Sequence, residues 1–141
     1  MSGRTKNSDR GSMALETVIL APVTLLGIVL VVAFGRATIA HGAVEAAARD
    51  AARQASLSRT VDDAQNSART SALAALRRGD LRCAPQVDVN ADGLNREPGE
   101  RAVVTVTVVC TVDLADIALP GVPGSTTLRA TFTSPIDPYR A

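Results

Sequence analysis

Between Glu16 and Arg36 lie nineteen residues without a charge, 17–35, and fourteen of them are apolar. As an α-helix rising 1.5 Å per residue the run is roughly 28 Å long, close to the hydrocarbon thickness of a bilayer. A chain of 141 residues supports one domain. Its apolar content of 46% holds few large side chains: two phenylalanines, one tyrosine, no tryptophan. Such a chain cannot wrap the run on all sides, so a buried core helix is a poor reading and a membrane element is the better one.

Two kinds of element fit these features. A secretory signal peptide would use Arg4, Lys6 and Arg10 as its basic region and be cut at small residues near Ala40, but its apolar stretch is normally 7–15 residues, shorter than this one. A single-pass anchor fits the length. The Arg4, Lys6, Arg10 cluster would then stay in the cytoplasm, leaving the chain beyond residue 36 outside.

Composition narrows the function. A net charge of +1 argues against a general polyanion binder, and three aromatics are too few for a base-stacking platform, so no nucleic-acid partner is expected. The lone histidine, His41, has no second ligand nearby and reads as a solvated side chain. No nucleophile–base arrangement, phosphate loop or zinc signature appears. The expectation is a non-enzymatic structural or interaction protein with no cofactor and no metal.

The residues preceding the run add a motif. Arg10-Gly11-Ser12-Met13-Ala14-Leu15-Glu16 places a glycine, then small or apolar residues, then a carboxylate at the mouth of the apolar helix. Further on come Pro22 within the run, Phe34-Gly35-Arg36 at its end, and an Ala/Arg-rich stretch, Ala46-Ala47-Ala48-Arg49-Asp50-Ala51-Ala52-Arg53. The Gly–Glu spacing resembles the processing site of type IV pilin-like precursors, and the whole arrangement from Arg10 to Ala55 resembles the TadE-like family of tight-adherence pilus proteins. The resemblance implies cleavage by a prepilin peptidase between Gly11 and Ser12, which would make Glu16 the fifth mature residue and keep the apolar helix. It also implies that Glu16 pairs with the new terminal amine of a neighbouring subunit.

The same residues have a physical reading of their own. A carboxylate at the hydrocarbon edge is costly unless paired or hydrated, and Glu16 in the first turn of a mature helix would also be favoured by the helix dipole. Pro22, a breaker in water, is tolerated in a span as a kink. Gly27 and Gly35, the row Ala40, Val44, Ala48, Ala52 and the row Ala43, Ala47, Ala51, Ala55 would let helices approach closely. Simple helix propensity in an alanine- and arginine-rich sequence explains them equally well. The helix should run from Ser12 to Leu57, roughly 69 Å, with Glu45 and Arg49 as an i, i+4 pair.

Beyond a break at 58–60, residues 61–78 predict a second helix, with Thr60 as N-cap and an apolar stripe of Val61, Ala64, Ala68, Ala72, Ala75 and Leu76. The period then changes to two. Strands are expected at 85–89, 104–112 and 127–133, forming an antiparallel sheet of at least three strands covered by the second helix. Cys83 and Cys110 are the only cysteines; in an oxidising compartment they suggest a disulfide, the alternative being two buried thiols. Placing Cys83 opposite Cys110 would set Val87 against Val106 and Val89 against Val104. Asp88, Asn90 and Asp92-Gly93 open like a calcium loop, but position twelve is Gly99 where a glutamate is needed, and turns at 92–93 and 98–99 are the simpler reading.

The expectation is therefore an α+β chain in three parts: a cytoplasmic leader, 1–11; a transmembrane and stalk helix, 12–58; and an exported head, 59–141. With the resemblance, it implies a pilin-like protein of the inner membrane, possessing membrane lipid, a prepilin peptidase, other pilin-like subunits and the pilus assembly machinery as partners. The alternative is an unprocessed, membrane-anchored or secreted binding domain.

Overall fold

The computed structural model describes residues 9–97, 99–118 and 120–139, with side chains from Glu16 onward. Arg4, Lys6 and most of the expected leader lie outside the described residues, as does the side chain of Ser12. Two helices come first, α1 (Asp9–Ser56) and α2 (Val61–Arg78). Three strands follow: β1 (Gln86–Asn90), β2 (Ala102–Asp113) and β3 (Ser125–Ile136). A 3-10 turn at Asp92–Asn95 and a single-turn helix α3 (Leu114–Ile117) connect them. The fold is α+β, with one antiparallel sheet in the order β1-β2-β3.

α1 is one helix of 48 residues that continues through Pro22. Its two halves live in different surroundings. From Val18 to Phe34 the large apolar side chains point away from the protein, as with Val18 at 71% and Phe34 at 72% exposure. From Ala40 onward one face is buried: Ala40, Val44, Ala47, Ala48, Ala51, Ala52 and Ala55 all belong to the core. Of the two readings of the alanine rows, close approach to another helix is the one seen, and that helix is the chain's own α2. Both rows pack within the chain's own head, against α2 and the sheet.

α2 matches its expected limits. Thr60 caps it, its hydroxyl accepting from the Asp63 N–H at 3.1 Å, and the predicted stripe is buried. Alanine faces alanine across the α1–α2 contact, so the two backbones come close. At the end of α2 the approach is tightest: a Cβ on Gly79 would lie 2.8 Å from Cβ of Ala43. Gly79 has an ordinary negative φ, and the left-handed residue that ends the helix is Asp80, at φ 52°. An Arg78–Asp50 ion pair at 2.8 Å joins the same two helices on the surface.

The sheet lies chiefly under α1; the second helix, expected to cover it, reaches mainly β1. Val104, Val106, Val108, Cys110 and Val112 face the helices, while Thr105, Thr107 and Thr111 face outward. On the outer face Thr105 pairs with Thr133, Thr107 with Thr131 and Thr111 with Thr127, hydroxyl to hydroxyl at 2.9–3.4 Å. The register of β1 is Val87 opposite Val108 and Val89 opposite Val106, two residues from the expected one. A two-residue slip keeps every side chain on its face, so the alternation was right and the partners were wrong.

Candidate functional site: the membrane helix and its junction with the head

Glu16 and Arg36 bracket the apolar half of α1. Twenty residues of helix put them about 30 Å apart along the axis, the depth of a hydrocarbon layer. Within this stretch the helix is long and apolar enough to cross a membrane, and none of its most apolar window is buried in the protein. Thr24 and Thr38 return their hydroxyls to the carbonyls of Leu20 and Phe34, at 2.8 and 2.9 Å, so their polar atoms are satisfied within the helix. Glu16 is exposed at the helix entrance.

Phe34 and Arg36 are exposed, and a Cβ on Gly27, Gly35 or Gly42 would meet nothing within this chain. The Phe34-Gly35-Arg36 motif therefore sits where the lipid-length segment ends, directly before the first core residue, Ala40. His41 is exposed with Glu45 at 3.8 Å. The expected Glu45–Arg49 pair is not among the ion pairs of the described residues; the Arg49 guanidinium lies 5.4 Å from the centre of the Phe132 ring.

Cys83 and Cys110 form a disulfide with their Cα atoms 5.8 Å apart. Cys83 precedes β1, and the bridge ties that segment to the C-terminal third of β2 on the helix-facing side. At the other sheet end Ser134 donates to Ser56 at 3.1 Å, fixing β3 to the last turn of α1. Gly93, the sixth position of the apparent calcium loop, instead packs against β2: a Cβ there would lie 2.5 Å from the Val103 carbonyl oxygen. Among the described residues, no group of three or more His, Cys, Asp or Glu side chains is gathered as metal ligands would be.

Sequence reasoning missed three parts of this arrangement. α3 is too short to carry a period. The Gly79–Ala43 contact looks in sequence like an ordinary glycine helix stop. The burial of 40–55 needed the knowledge that the sheet folds back along α1.

A lipid-length helix continuing into the core of a small α+β head defines the class: a single long helix, apolar in its first half, carrying a small α+β head. Within this class, residues 11–53 match the family model described as TadE-like protein, the family that the motif from Arg10 to Ala55 resembles. The matched segment begins at Gly11 and takes in Glu16, Pro22, Phe34-Gly35-Arg36 and the Ala/Arg-rich stretch, less than half of the chain. No curated protein matches the chain, and no solved structure does.

Proposed function

We propose that this chain is a minor, pilin-like membrane subunit that takes part in assembling a tight-adherence pilus. In this reading a prepilin peptidase cuts between Gly11 and Ser12, and the carboxylate of Glu16 meets the terminal amine of a neighbouring subunit. The protein contributes shape and contacts, with no chemistry of its own. Its partners are the peptidase, other pilin-like subunits and lipid, and it sits in the inner membrane with the head outside. The carrying observation is the continuity of α1, whose TadE-like segment supplies both the lipid-length half and the wall of the head core.

The same observation weighs against removal of the helix as a signal peptide. A cut near Ala40 would fall inside α1 at a residue only 5% exposed, one turn before the fully buried Val44. N-terminal sequencing of the membrane-extracted protein tests the reading. Ser12 as first residue is expected. Met1 or Ser2 would leave a plain anchor, and a start near residue 41 would leave a secreted domain. Gly11→Leu should abolish processing, while Glu16→Gln should leave processing intact and reduce co-purification with partner subunits.

A further inference from the structure

The head has two ends along α1, and their contacts tell them apart. The far end is marked by Ser134 on Ser56. At the near end α3 meets the start of the buried face, where Asp116 and Ile117 share a depression with Arg36, Ile39 and Ala40. Ala40 is five residues past Gly35, so about 7.5 Å beyond the apolar run along the axis. The polar layer on each side of a bilayer is about 5–7 Å deep. The base of the head therefore stands at the outer edge of the headgroup layer.

At this end the residues 120–124 lie on the connection from α3 to β3, the Gly124 carbonyl being held by the Leu114 N–H. The stretch 117–128 has no charged residue, though both neighbours in the chain, Asp116 and Arg129, are charged. Val122 is exposed at the loop, between Pro120 and Pro123. The loop is preformed: Gly121 and Gly124 supply positive φ angles of 88° and 116°, and the Leu114 N–H donates to the Gly124 carbonyl at 2.9 Å, closing its base. On the helix Ile39, beyond Arg36, remains 69% exposed, so apolar surface continues past the run to the same level. Asp80 and Asp116 lie at this end too, and their charge keeps the rest of the base out of lipid.

We propose that the 120–124 loop is a second, peripheral lipid contact: Pro120 and Val122 touch the headgroup layer of the bilayer that α1 crosses, and so hold the head at a fixed tilt. This rests on the reading of α1 as a membrane span. Two anchors of one rigid body define an orientation that one helix alone leaves free.

The chain contains no tryptophan, so single-tryptophan variants of the full chain report directly. In vesicles of phosphatidylcholine and phosphatidylglycerol with brominated acyl chains, Leu26→Trp should be strongly quenched, Val122→Trp quenched about twofold by bromines near the headgroup, and Tyr139→Trp unchanged. Tryptophan itself favours the interface, so a nitroxide on Val122→Cys supplies a second readout: its collision rate with oxygen, relative to a water-soluble nickel chelate, should rise in vesicles. Quenching of Leu26→Trp without quenching of Val122→Trp overturns the loop contact alone, as does quenching without the nitroxide response. An unquenched Leu26→Trp overturns the membrane reading beneath it.

Discussion

Gly79→Ala sets two effects of opposite sign against each other. The backbone at Gly79, φ −79° and ψ 4°, suits an alanine, and replacing glycine at a compatible site normally stabilises by about 0.4–1 kcal/mol through the unfolded chain. The new methyl, however, would stand 2.8 Å from Cβ of Ala43, where carbon atoms prefer about 3.5–4.0 Å. Both are Cβ atoms fixed directly to the backbone, so neither can swing aside, and overpacking of this kind costs about 1–3 kcal/mol. The contact should win, with a net loss of about 1–2 kcal/mol by those two ranges. In a head of this size that lowers Tm by about 5–10 °C. The assay is thermal unfolding of the detergent-solubilised chain, followed by far-UV circular dichroism. Ala43→Gly alone should cost about 1 kcal/mol in helix propensity, but combined with Gly79→Ala it removes the clash. The double variant should therefore be more stable than the sum of the singles by at least about 0.5 kcal/mol. A Gly79→Ala protein with unchanged or raised Tm, or strict additivity, would refute the close-approach argument.

Other outcomes follow from the same structure. Reducing the Cys83–Cys110 bridge, which spans 27 residues, should cost about 3.5 kcal/mol in the chain-entropy account; mass shifts after alkylation with and without reductant, and Tm under both conditions, check it. Val106→Ala removes two methyls from a fully buried site at the middle of β2 and should cost about 2–3 kcal/mol, read by the same thermal scan. Gly93→Ala should cost about 2–3 kcal/mol because its methyl meets the Val103 backbone, and the loss should be the same with calcium or chelator present.

The parts legible in the sequence are those fixed by local chemistry. The lipid-length run, the Thr60 cap, the α2 stripe and the alternation of β2 depend on neighbours a few residues away, and each stands where its pattern placed it. The parts that went astray depend on distant segments. The β1 register differs by two because parity constrains the face and leaves the partner open. The alanine rows of α1 carried two equal readings because small residues suit any close contact, and only the return of the sheet along α1 shows what covers them. The disulfide survived the register change because its two cysteines needed only the shared face. At the proposed processing site the motif was legible as Gly11 and Glu16, and the structure adds their setting on one uninterrupted helix.

That helix acts as a geared shaft. Because α1 passes from the apolar segment into the head without a hinge, the azimuth and height of the head are locked to the phase of the helix. One residue inserted between Arg36 and Ile39 would lift the head by about 1.5 Å and swing it by about 100°. The number of residues between the Phe34-Gly35-Arg36 corner and Ala40 is thus a setting of compass direction, which a flexible linker of the same length could not keep.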